Sequence, residues 1–326
     1  MIASITKRLS WRLRFSAAKL AVWLLQRTGF YASYWGHWRS IFCYVESKGL
    51  HILPVHYYSP IPDTRNLSDD LWKKIRTPIG FELSLDAALN WLDDLNERYG
   101  AEYRQFPREP DDNDHRYYLE NGAYRSGDAE VSYAILRDVK PQKIIEIGSG
   151  YSTLLISQAI RANKNEDSKY RCEFTAIEPF PPPMLRPPPP ELTRLEKIPL
   201  QEVPTALFTS FTKGDVLFID SSHVARIGSD VILEYLQLLP RLPSGVLVHI
   251  HDIFIPADYP RWWIERGCFF WNEQYLLEAF LTFNREFEVI MPTHALWRLH
   301  EQRFCRAIPF SETGLHTPSS FWIRRC

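Results

Sequence analysis

The sequence predicts an α/β fold: a doubly wound, mostly parallel sheet behind an N-terminal helical and irregular extension. Three observations predict it. From about residue 126 helix-like and strand-like segments alternate, the pattern of a parallel sheet covered on both faces. The stretch "IIEIGSGYST" (144–153) runs from apolar residues through an acid into a glycine turn and then hydroxyls. Four acids, Glu146, Glu178, Asp220 and Asp252, fall at predicted strand ends, where open α/β sheets bind ligands.

The elements follow in order. Leu9, Leu13, Ala17, Leu20 and Leu24 recur at helical spacing among basic residues, which predicts an amphipathic helix within residues 1–28. Such a helix either contacts an anionic membrane surface peripherally or packs on the protein itself. Its longest apolar run, "AVWLL", is too short to span a bilayer, and no small-residue cleavage site follows it. Residues 51–63 are aromatic and proline-rich, hence extended. Residues 84–100 read as a helix with Ser84 as cap and Gly100 as stop. Residues 1–125 together form the extension, expected to cover the site of a second substrate, and 126–326 form the ligand-binding domain.

In that domain, helices are expected at 128–139, after Tyr151, at 228–239 and at 272–283. Strands are expected at "KIIEI", 172–178, 215–220, 245–252, 287–291 and 320–325. The tract "PFPPPMLRPPPPE" (179–191) can be neither helix nor central strand and reads as an exposed polyproline-like loop.

At 326 residues the chain can hold one large domain, or one domain with an extension. Its hydrophobic content of 45% and charged content of 24% are those of an ordinary soluble protein. The net charge of −1 hides an asymmetry, since no acid precedes Glu46 while seven lysines and arginines do. The remainder then carries about −8, which gives no basic field for nucleic acid. Five scattered cysteines without a CxxC pair point to a reducing, cytoplasmic setting and argue against structural zinc.

The glycine turn Gly148-Ser149-Gly150 lets a ligand approach the backbone, and the helix behind it offers unpaired N–H groups to an anion. Glu146 adds a negative partner, so a ligand carrying both signs suits the pair. Glu178, closing the second strand, is placed to accept ribose hydroxyls. A nicotinamide-dependent oxidoreductase shares the glycine turn and the second-strand acid. It must also admit a pyrophosphate, which Glu146 would oppose, and the third glycine of its fingerprint is absent here. S-adenosylmethionine, with ribose, ammonium, carboxylate and sulfonium, matches better.

Through "EIGSG", the acid of "AIEP", "DVLFIDSSH" and "VLVHIHDI", residues 126–326 resemble the class I S-adenosylmethionine-dependent methyltransferases. The resemblance implies a seven-stranded sheet, Gly148, Ser149 and Gly150 along the methionine part, Glu146 near its amino group and Glu178 on the ribose. Asp220 would also contribute to the cofactor site. "DSSH" and "HIHDI" further resemble the metal-dependent sugar and catechol O-methyltransferases. There a histidine three residues after a metal-binding acid serves as base, and His223 matches that position. Asp220 and Asp252 would then hold Mg²⁺ or another divalent cation, with His251 a second catalytic candidate standing where that family has an acid. The expected reaction is methyl transfer to a hydroxyl of a small molecule or sugar. The rivals are a nicotinamide oxidoreductase and a non-catalytic nucleotide-binding or interaction domain.

Overall fold

A computed structural model describes residues 2–27, 38–53, 55–110, 115–310 and 317–326. The chain divides into two compact units, Met1–Leu67 and Ser68–Cys326. The expected boundary after residue 125 is therefore corrected. Residues 68–125 belong with the α/β body because Leu89, Leu92 and Leu95 share one core with Ile135 and Leu155.

The first unit holds α1 (Ile2–Arg27) and α2 (Trp38–Glu46). In α1, Trp11 and Phe15 stack at 5.2 Å and are exposed, as are Leu13, Leu20 and Leu24. At 100° per residue these two groups point to roughly opposite sides. The expected single apolar stripe is thus only part of the pattern. No helix among the described residues is long and apolar enough to cross a membrane.

The second unit is built on seven strands: β1 (Lys143–Ile147), β2 (Glu173–Ile177), β3 (Arg194–Glu196), β4 (Val216–Ile219), β5 (Leu247–Ile250), β6 (Phe287–Pro292) and β7 (Phe321–Arg325). Their order is β3-β2-β1-β4-β5-β7-β6, with β7 antiparallel to both neighbours. The order reverses between β1 and β4, so their carboxyl ends flank the crevice where such sheets bind ligands. Six strands lie where the sequence places them. The seventh, β3, has three residues and is too short to show a period.

Alternation along each strand feeds two cores. Ile144, Phe218 and Leu247 face one, under α4 (Leu85–Tyr103), α5 (Asp128–Val139) and α6 (Tyr151–Glu166). Ile145, Ile147, Leu217, Ile219, Val248 and Ile250 face the other, under α7 (Asp230–Leu233) and α8 (Glu273–Leu281). The short α3 (Asp69–Lys73) precedes α4 in the chain, and α9 (Thr293–Leu299) and α10 (Glu301–Ala307) follow α8.

Three local expectations are revised. Ser84 precedes α4 in a left-handed conformation (φ 50°) and makes no side-chain cap. The helix runs through Gly100 to Tyr103, because the Tyr103 hydroxyl bonds Asn96 (2.8 Å) and the Ala307 carbonyl (3.1 Å), tying the last turn to the body. The predicted helix 228–239 widens after α7 into a π-helical turn, Glu234–Leu238. The proline tract is less exposed than expected: Pro181, Leu185 and Pro189 are buried, and Glu191 is clamped by both Arg161 nitrogens at 2.9 and 2.8 Å.

The rim of the sheet is tightest at Gly148. Its N–H donates to Ile177 O (2.9 Å), and Asp220 N–H donates to Ile147 O (2.9 Å). Gly148 has φ +92°, and a Cβ there would lie 2.0 Å from the Asp220 carbonyl oxygen. The sequence reading gives this glycine to the ligand, whereas the fold itself requires it. Gly148→Ala is expected to lower stability by about 2 kcal/mol or more, from backbone strain plus the clash. Urea unfolding checks this, and an unchanged midpoint would show that β1 and β4 can part freely.

Candidate functional site

Beyond β1 the chain turns at Gly148-Ser149-Gly150 and enters α6. Glu146 shares its strand face with Ile144 and so points under α6, where it is fully buried. Its two oxygens accept from Ser152 Oγ (2.6 Å) and Thr153 Oγ1 (2.7 Å), while Thr153 Oγ1 accepts from Gly150 N–H (3.0 Å). These bonds lock the turn onto the helix. Burial raises the Glu146 carboxyl to about 8 against the two hydroxyl bonds, and the charges of Asp220 and Glu178 add to the rise. Each Glu146 oxygen thus accepts from one hydroxyl of α6, which ties the carboxyl to the helix start behind the turn.

The open side of the turn is Gly150. Its φ of 173° is ordinary extended backbone, and a Cβ there would meet no atom within 4 Å. Beside it, the Ser149 hydroxyl is buried without a hydrogen-bond partner. Glu178 follows β2 half-buried, one oxygen accepting from Phe180 N–H at 2.7 Å. Tyr151, opening α6, meets Tyr118 hydroxyl to hydroxyl at 2.9 Å.

One strand over, the expected histidine and acid residues converge. His223 Nε2 lies 3.3 Å from Asp220 Oδ1 and 3.5 Å from Asp252 Oδ2. His251 Nδ1 lies 3.4 Å from Asp220 Oδ1 and 3.5 Å from Asp252 Oδ1. His223 and Asp252 both adopt left-handed backbone (each φ 58°), strain of the kind that clusters at functional sites. Burial works against charge on both imidazoles but is outweighed. Hydrogen bonds to Asp220 and Glu273 raise His223 well above the usual histidine range, and the charges of Asp252 and Asp220 do so for His251. Burial would raise Asp220, yet the charge of His251 and the hydrogen bond of His223 bring it below the usual carboxylate range. One donor atom each from Asp220, His223 and Asp252 lies within 4.8 Å of the others, a spacing that one cation can bridge.

His249, inside β5, bonds through Nε2 to Ser320 Oγ (3.0 Å) and the Tyr124 hydroxyl (3.2 Å). Burial keeps it well below the usual histidine range, so it is neutral.

The sequence reading missed two acids of this cluster. Asp128 Oδ2 lies 3.5 Å from His251 Nε2, and its Oδ1 accepts from Ser319 and Ser320 N–H at 2.8 and 2.6 Å. Glu273 Oε2 lies 2.8 Å from His223 Nδ1. Asp128 is the first residue of one predicted helix and Glu273 the second of another, and an acid in a helix's first turn has an ordinary reason to be there. A cleft of about 170 Å³ opens onto Asp252, with Asp128, Ser319, Trp262 and Trp263 among its walls. Nearby, Tyr259 is buried packing, Asp258 accepts from the Tyr275 hydroxyl, and Trp271 packs on His223 at 4.5 Å.

The burial of Glu146 has a stability consequence. The folded chain holds this proton up to about pH 8, whereas the ordinary value is 4.5. Its contribution is full below 4.5 and is lost as pH rises through about 8. Glu146→Gln, which cannot ionise, should gain melting temperature over the wild type as pH rises from about 5 to 9. Calorimetry at both ends tests this; a gap that narrows instead would mean that Glu146 is ionised and paired.

Comparison with known proteins bears on residues 145–253, which match the model of a family described as "Methyltransferase domain". An uncharacterized protein of Archaeoglobus fulgidus is 29% identical over 139 residues, covering 41% of this chain and 60% of that protein. The chain thus spans about three fifths of that relative's length. Among solved structures, a cmcI chain described with Mg and SAM aligns at 13% identity and a TM-score of 0.34, over 69% of this chain and 84% of its own. A Plasmodium falciparum chain described as a putative protein-L-isoaspartate O-methyltransferase with S-adenosyl-L-homocysteine aligns at 13% and 0.27, over 49% and 83%. Nothing below rests on these two low scores. Residues 145–253 are thus similar to a methyltransferase domain, and they lie in the seven-stranded, doubly wound sheet of order β3-β2-β1-β4-β5-β7-β6.

Proposed function

We propose that the chain is an S-adenosylmethionine-dependent methyltransferase acting on a hydroxyl oxygen of a small molecule or sugar. The observation that carries the reading is the open backbone of Gly150 beside the partnerless Ser149 hydroxyl. The cofactor fits this turn. Gly150 leaves room that a side chain would fill, Ser149 lacks a partner that a ligand's polar atoms can supply, and α6 starts here with unpaired N–H groups. Bound there, the cofactor supplies an electrophilic methyl group on sulfur. Glu178, whose second oxygen remains to be used, would accept from ribose hydroxyls.

The rest is the work of the chain's own side chains. The cleft over Asp252 is the proposed acceptor site, with Trp262 and Trp263 as an apolar wall. His223 is the proposed base, receiving the acceptor's hydroxyl proton at Nε2. As found, that nitrogen faces two carboxylates that favour its protonation. Asp220 and Asp252 fit a divalent cation, which would polarise the acceptor oxygen. Once neutralised in this way, the two carboxylates would no longer hold the His223 proton. His251, on the same two acids, is the second candidate.

Two measurements test this. Gly150→Val, in ordinary extended backbone, should keep its melting temperature yet bind S-adenosylhomocysteine at least about tenfold more weakly, since a side chain would occupy the approach. Equal affinity would move the cofactor elsewhere. The second measurement is calorimetric titration of the chelator-stripped chain with Mn²⁺. Asp252→Asn should cost about tenfold or more in affinity. His223→Ala should keep the affinity while losing roughly 10²–10⁴-fold in turnover on any acceptor found with labelled cofactor. If His223→Ala abolishes Mn²⁺ binding, the imidazole is a ligand instead of a base. An absence of Mn²⁺ binding in the wild type removes the cation.

A further inference from the structure

We infer that Glu273 is a positioning residue, keeping a proton on Nδ1 of His223 so that Nε2 is the nitrogen presented to Asp220 and Asp252. The inference rests on the proposed role of His223 and concerns a residue outside the rim that the sequence singles out. Three independent contacts tie the start of α8 to His223. The Glu273 carboxylate lies 2.8 Å from Nδ1. The N–H groups of Asn272 and Glu273 both donate to the His223 carbonyl, at 3.1 and 3.3 Å. Asn272 Oδ1 accepts from Ala225 N–H at 2.6 Å, holding the loop on the far side of the histidine. Together they hold a non-glycine residue at φ 58°, a conformation that would relax without such support.

The chemistry follows from what each group can donate. An ionised carboxylate only accepts, so the nitrogen facing Glu273 must carry hydrogen. The other Glu273 oxygen accepts from the Tyr235 hydroxyl at 3.1 Å, which fixes the carboxylate plane. Neighbouring Glu234 is also fully buried, and burial together with the Glu273 charge keeps its proton on well above the usual carboxylate range. Trp271 packs against the imidazole at 4.5 Å and limits its rotation. With Nδ1 committed, Nε2 is left for the proton of an acceptor or for a cation.

A merely structural carboxylate would tolerate Glu273→Gln, which has nearly the same shape and removes a buried charge. A positioning carboxylate would not. The Tyr235 hydroxyl has its hydrogen bond to Glu273, so it would claim the new amide carbonyl. The amide N–H would then face Nδ1 and push the ring proton to Nε2. Adding Tyr235→Phe frees the amide to turn its carbonyl back toward Nδ1.

The test is ring NMR of the full chain with ¹⁵N-labelled histidine, the His223 signals assigned by their loss in His223→Ala. The wild type should show a slowly exchanging proton coupled to Nδ1. Glu273→Gln should lose it and show the proton on Nε2, and Glu273→Gln/Tyr235→Phe should recover part of it. Co²⁺ and S-adenosylhomocysteine affinity should both stay nearly unchanged in Glu273→Gln, because the cation is placed on Asp220 and Asp252 and the ring serves as base. A wild-type spectrum without the Nδ1 proton overturns the inference with no variant needed, as does the same Nδ1 proton in Glu273→Gln. A wild type with the expected ring signals that binds neither S-adenosylhomocysteine nor Co²⁺ sinks the methyltransferase proposal and supports the Glu273 assignment.

Discussion

The packing of Asp220 against Gly148 is the contact on which the rim of this sheet depends. On one side its backbone carbonyl fills the space that any side chain at residue 148 would need. On the other its carboxylate meets His223 and His251 at 3.3 and 3.4 Å. A single residue therefore joins the glycine turn after β1 to the histidine cluster after β4 and β5. Parallel strands make this possible, because neighbouring carboxyl ends fall level: Ile147 is paired with Ile219, and Ile219 with Ile250. The next residues, Gly148, Asp220 and His251, then meet without any long loop to order.

The sheet was legible because each long strand announces itself by a run of branched apolar residues. "KIIEI", "VLFI" and "LVHI" are buried on both faces, as strands in the middle of a sheet covered by helices on each side are. The position of the site was legible for the same reason: an acid or histidine directly after such a run must sit on the rim. Roles were harder to read. Glu146 looks like a rim acid from its place before the glycines, yet strand alternation sends it under α6 to Ser152 and Thr153. The charge argument that separated a methyl donor from a dinucleotide therefore used a carboxylate that burial inclines to neutrality. Asp128 and Glu273 were hidden by the opposite error, since an acid at a helix start has a local explanation that masks a tertiary one. A boundary at residue 125 failed because α4 has the mixed polarity of a solvent-facing helix, while its buried stripe of Leu89, Leu92 and Leu95 packs on the body.

Charge balance at the rim gives the proposed chemistry its internal logic. Asp128, Asp220, Asp252 and Glu273 surround His223 and His251, all within the one cluster. Four carboxylates against two imidazoles leave a deficit of positive charge even with both rings protonated. Backbone N–H groups of Ser319 and Ser320 answer part of it at Asp128, and the Tyr235 hydroxyl does so at Glu273. Among the described residues, Asp220 and Asp252 have no comparable donors beyond the imidazoles and the Ser319 hydroxyl at 3.2 Å from Asp252. Desolvated carboxylates in that state favour any cation that can reach them, whether a proton on the ring or a metal ion. The two are then alternatives at one place: a divalent ion between Asp220 and Asp252 takes over the attraction that keeps His223 protonated. Loading the cation and freeing the base would be the same event, and Glu273, on the far nitrogen, would hold the ring in register through the exchange.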